Sequence, residues 1–280
     1  MDSFSADQIS ILVSDFRKAK LLKLDEYEEF KNYLESKVPN LKTFDGIVSA
    51  MFTFQKDLKI INHLDNQILE TSSDLKEDDW IKLISFKSIL RQRNVKINKA
   101  SSFCLLNRKK IFELREIQTC LLSYSMLSHY DEQLFSRLLK DLYSQINNEI
   151  LLNEEEFYPI ILSIGVLSLR DTKLLNKICD YLISNKDKHS KLLLVNFITS
   201  CGNVNFVPEN LSKLLGDIDV SLFNFEDNAS CLQFLNLTIS LCQLDKPNLT
   251  FIETVLNETF WKKILAGKRK IFVCLFLCYA

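Results

Sequence analysis

Short polar breaks recur along this chain at nearly constant spacing, which restricts it to folds built by stacking one small unit many times. The breaks are marked by Asp57, Asn94, Asp131, Asp171, Asn205 and Asp245, separated by 37, 37, 40, 34 and 40 residues. Each is Asp or Asn, whose side-chain oxygen accepts hydrogen bonds from the free amides opening a helix, so all six are expected to be helix N-caps. Apolar residues follow three of them at +3, +4, +7 and +11: Ile60, Ile61, Leu64, Ile68; Leu134, Phe135, Leu138, Leu142; Leu174, Leu175, Ile178, Leu182. That spacing places one apolar stripe on a helix. The stripe continues after Asp245 as Leu249, Ile252 and Leu256, whereas Asn94 and Asn205 have weaker followers and Pro208 resets the second of these.

Ten residues before each break stands another apolar side chain, namely Ile47, Ile84, Leu121, Ile161, Val195 and Leu235, so a first helix precedes each cap. Its stripe is clearest in Phe157, Ile160, Ile161, Ile164 and Leu167. Each unit therefore reads as an αα-hairpin that cannot bury both of its stripes alone. The expected fold is all-α: a superhelical stack of hairpins of about 38 residues, an α-solenoid. Five Gly and four Pro in 280 residues leave few breakers for a strand-and-turn protein. Residues 1–40 are expected to form a helical pair, Asp7 to Lys20 and Asp25 to Lys37, capping the array. Residues 41–228 carry the repeats, and 229–280 open a further helical module.

Net charge of −1 gives no global field for nucleic acid or an anionic membrane, so any such surface must be local. The eight Cys (104, 120, 179, 201, 231, 242, 274, 278) sit mostly in apolar runs and read as buried thiols of a reducing compartment. The first ten residues hold Asp2 and Asp7 and no Arg, unlike a secretory or transit signal. Ile271 to Ala280 is the longest apolar run, about half of a membrane span. With no cap or polar tail behind it, it is expected to be a helix cut short inside its structural unit.

Three stretches carry a resemblance: LREIQTCLLSYSMLSHYDEQLFSRLLKDLY from Leu114 to Tyr143, FYPIILSIGVLSLRDTKLLNKICDYL from Phe157 to Leu182, and CLQFLNLTISLCQLDKPNLTFIETVLNETFWKKIL from Cys231 to Leu265. They resemble the helical repeats of the FAST kinase domain-containing (FASTK) family. The last looks like the opening of its first FAST-type module, matched by Leu241-Cys242, Pro247 and Phe260 to Leu265. The resemblance implies RNA binding and a part in mitochondrial transcript processing and stability, hence a mitochondrial location. The second FAST-type module and the RAP domain of that layout have no counterpart in this sequence.

No kinase machinery accompanies the resemblance: Gly-rich phosphate loop, VAIK-type Lys, HRD loop and DFG are all missing from the sequence. His63, His129 and His189 stand apart and read as surface side chains. Cys274 and Cys278 lie one helical turn apart among apolar neighbours and read as core. No metal or cofactor is expected, and no enzymatic activity. Glu77, Asp78, Asp79 and Glu154, Glu155, Glu156 precede apolar helices, where negative charge complements a helix N-terminus.

The candidate site is a run of charge. Arg91, Arg93, Lys96, Lys99, Arg108, Lys109, Lys110 and Arg115 fall within 25 residues whose one acid is Glu113, so that segment carries +7 while the rest totals −8. Such a surface suits the phosphates of single-stranded RNA, with Phe103 or intervening polar residues touching bases, and a solvated helix face is its bland equivalent. A second run, Lys262, Lys263, Lys268, Arg269 and Lys270, reads as a solvated loop. The expected protein is thus a non-enzymatic RNA-binding array working with other RNA-processing proteins and not inserted in a membrane. The alternative is a HEAT- or armadillo-like scaffold that binds a peptide or partner helix.

Overall fold

The computed structural model describes residues 4–19, 24–147 and 152–266. Among them lie fifteen α-helices and no strand, an all-α helical repeat fold. The chain divides into two compact units, 1–109 and 110–280.

In the first unit α1 (Ala6–Ala19) packs on α3 (Phe44–Thr53) and α2 (Leu24–Lys37), ahead of the hairpins α3/α4 (Leu58–Glu70) and α5/α6 (Glu77–Ile89, Val95–Leu106). The second unit is two layers. The first helices of successive hairpins, α7 (Leu114–Met126), α9 (Glu154–Val166), α11 (Lys191–Asn203) and α13 (Asn228–Gln243), pack each on the next. Their partners α8 (Glu132–Asn147), α10 (Thr172–Ser184) and the short α12 (Leu211–Leu215) pack likewise, and α14 (Leu249–Leu256) and α15 (Glu258–Ala266) follow α13. Hairpin stripes make the core: Ile61, Leu64, Ile68, Leu134, Phe135, Leu138, Leu142, Leu174, Leu175, Ile178 and Leu182 are all buried. Each is worth about 1.5–3 kcal/mol of transfer free energy.

The breaks are resolved into two kinds of residue. Asp57, Asn94, Asp131 and Asp171 are N-caps as expected, their side-chain oxygens accepting from the amides of Ile60, Ile97, Leu134 and Leu174. Asn205 and Asp245 are not caps. Both close a helix in the left-handed conformation, φ 50° and 54°, and share it with Arg91, Ser128 and Ser168. The five recur at intervals of 37, 40, 37 and 40 residues. After each, the next amide reaches back to close the helix, Gln92 to Lys87, His129 to Tyr124, Leu169 to Ile164, Phe206 to Cys201 and Lys246 to Leu241, at 2.9–3.1 Å. This is the Schellman closure.

Asn and Asp tolerate positive φ for the same reason that they cap helices, a short polar side chain that bonds locally, which is why one residue type answered to both positions. A cap stands three residues after the left-handed residue as Asn94, Asp131, Asp171 and Asn248; in the irregular unit that position is Pro208, and α12 starts later, with Asn210 at its N-cap position and no side-chain cap bond. Counting from Asn248 buries Phe251 and Val255 and leaves Leu249 and Leu256 exposed, so the stripe read from Asp245 lies on the outer face. Val195 and Leu235 are buried, yet the counterparts of Ile84, Leu121 and Ile161 are Ile198 and Thr238.

Glu77 to Asp79 and Glu154 to Glu156 occupy the first turns of α5 and α9, as helix electrostatics requires. The six Cys among the described residues are free thiols. Burial pushes the Cys179 thiol up to about 12. Among the described residues no helix is long and apolar enough to cross a membrane. Ile271 to Ala280, with Cys274 and Cys278, lies outside the described residues.

Candidate nucleic-acid interface

The turn between α5 and α6 is fixed from beneath. Lys87 on α5 and Asp65 on α4 form an ion pair at 2.7 Å, both side chains essentially inaccessible to water. The Asn94 amide donates to the same carboxylate at 2.8 Å while its oxygen caps α6 through the Lys96 and Ile97 amides. The side chain of Gln92 donates to the Gln55 carbonyl at 2.8 Å. The two flanking residues, Arg91 and Arg93, are left exposed.

Ile97 and Leu105 point α6 into the core, so the opposite face carries Lys96, Lys99 and Phe103 at helical spacing in solvent. Phe103 is 72% exposed. Among the described residues none of Arg91, Arg93, Lys96 and Lys99 is in an ion pair. Glu77 acts on this helix from the start of α5. It adds to burial in raising the Cys104 thiol, one turn beyond Lys99.

The remaining candidates are dispersed. Arg108 is buried at 7% exposure and presents no charge to a ligand, whereas Lys109 is exposed. Lys110 and Arg115 belong to the second unit, both exposed, and Lys110 pairs with Glu113 at 2.9 Å. Arg137, which the charge run did not include, holds the Lys110 carbonyl at 3.1 Å and stacks 5.2 Å from the Phe112 ring. In the second basic run Lys262 is paired with Glu258 at 2.8 Å. The Lys263 side chain and Lys268, Arg269 and Lys270 lie outside what is described.

His189 is the residue that sequence reasoning misplaced: it is buried, not a surface side chain. Its Nε2 is 3.1 Å from the Tyr181 hydroxyl, which itself accepts from the Leu152 amide at 2.8 Å. The other ring nitrogen of His189, Nδ1, faces Glu154 at 3.6 Å. Glu154 accepts from the amide and hydroxyl of Ser190, the N-cap of α11, and so ties the starts of α9 and α11 together. Burial raises the Glu154 carboxyl, but the two Ser190 bonds and the His189 ring outweigh it and hold the pKa below the usual value. Asp7 repeats the device in the first unit, accepting from the Thr43 amide and hydroxyl at 2.9 Å.

The ties from Glu154 to Ser190 and from Asp7 to Thr43 hold the starts of neighbouring helices together. Among the described residues no three His, Cys, Asp or Glu side chains are grouped to hold a metal. A family model described as FAST kinase-like protein, subdomain 1, matches residues 171–265. No curated protein matches the chain.

Proposed function

We propose that this chain, whose residues 171–265 match the FAST kinase-like subdomain 1 model, is a non-enzymatic helical-repeat protein of the FASTK type binding single-stranded RNA. The observation that carries this reading is the face formed by Arg91, Arg93, Lys96 and Lys99 beside an exposed Phe103. Cations in no ion pair among the described residues release counterions on meeting phosphates, and an exposed aromatic ring gives bases a surface to stack on. Family kinship supports mitochondrial transcripts as the target and other RNA-processing proteins as companions. Filter binding of mixed single-stranded RNA at low salt tests it: saturable retention is expected, and its absence removes the reading.

A second reading, a protein-binding scaffold without RNA, is favoured by the exposed Leu249 and Leu256, 74% and 73% accessible on one face of α14. It predicts no retention of RNA in the same assay.

A further inference from the structure

We propose that a cleft across the last turns of α9, α11 and α13 seats unpaired nucleobases, an inference that rests on the RNA reading above. These helices lie unusually close. A Cβ on Gly165 would stand 3.0 Å from the Ser200 Cα, and one on Gly202 would stand 2.8 Å from the Ser240 Cα. The surface above them is a cavity of about 200 Å³ whose main lining residues are Val166, Thr199, Asn203, Asn236, Ile239 and Gln243.

The corrected register shows that this lining repeats. Val166, Asn203 and Gln243 each stand two residues before a left-handed helix-closing residue, Thr199 and Ile239 six before, and Asn236 nine before. Successive hairpins thus present the position two before side by side three times, and the position six before twice. No charged side chain lines the cavity. The side chains of Asn203 and Gln243 are exposed and make no hydrogen bond among the described residues, while the Thr199 hydroxyl donates along its own helix to the Val195 carbonyl at 2.9 Å.

A carboxamide offers a donor pair and an acceptor together, the combination that reads the edge of a base. Val166 and Ile239 give apolar surface for the flat faces. Three helix C-termini converge here, and their partial negative charge disfavours phosphate within the cleft. The chemistry therefore fits a base turned inward with its backbone outside, as unpaired RNA permits.

The test measures affinities of the full chain for 12-nucleotide A, C, G and U homopolymers by fluorescence anisotropy. Asn203→Ala combined with Gln243→Ala is expected to weaken the preferred homopolymer about tenfold and to level the differences among the four. Its salt dependence should stay that of the unaltered chain. RNA carrying 4-thiouridine should crosslink to the unaltered chain within residues 199–243, a result that does not depend on how the variant folds. If RNA binds but the double variant keeps both affinity and preference and the crosslinks fall elsewhere, the cleft is overturned and the RNA reading stands. If the unaltered chain binds no RNA, both fall together.

Discussion

Lys87 occupies a position that the other repeats fill with Tyr124, Ile164, Cys201 and Leu241, all buried, and it is tolerated there only because Asp65 meets it. Replacing it by Met strands a buried carboxylate and should cost about 3–5 kcal/mol, read by urea denaturation. Pairing Lys87→Met with Asp65→Leu should recover most of that loss. Ser128 is a milder case. At φ 48° it bears the strain that L side chains meet in the left-handed region, so Ser128→Gly should stabilise by about 0.5–1 kcal/mol. Ser128→Val should destabilise by more than that, since a branched Cβ is least tolerated there. A thermal melt that ranks Val above Gly would contradict the assigned turn.

Between helices, close packing and end-to-end ties set the geometry. Gly202→Ala pushes a methyl against the Ser240 backbone and should cost about 1–3 kcal/mol, whereas Gly216→Ala meets open space and should be neutral or slightly stabilising. The tie from Glu154 to Ser190 is pH-dependent with a definite sign. Because the folded-state carboxyl titrates below its ordinary value of 4.5, its stabilisation is complete above that pH and fades as pH falls through the lowered folded value. The melting temperatures of the protein and Glu154→Gln should therefore differ at pH 6 and converge towards pH 3. A gap that widens with acid would rule out the tie.

Hairpins of this kind were legible in the sequence because apolar spacing and capping chemistry are local. Asp57, Asn94, Asp131 and Asp171 were placed correctly on those grounds alone. Asn205 and Asp245 were not, because positive φ is a backbone property that Arg91 and Ser128 share without any common side chain. Arg108 and His189 were misjudged for a different reason, since both are buried by packing that no local apolar pattern records. The ion pair of Lys87 with Asp65, 22 residues apart, was hidden in the same way.

For the whole molecule, the proposal is that a near-neutral chain meets RNA phosphates through one local face: four cations on and beside α6, with no ion pair at any of them among the described residues. The most direct measurement is the dependence of RNA affinity on salt, compared between the protein and the variant with Arg91, Arg93, Lys96 and Lys99 all changed to Ser. Four lost phosphate contacts should make the slope of log affinity against log salt shallower by about 3, with affinity at low salt falling for every sequence tested. An unchanged slope would show that this face does not meet the phosphates.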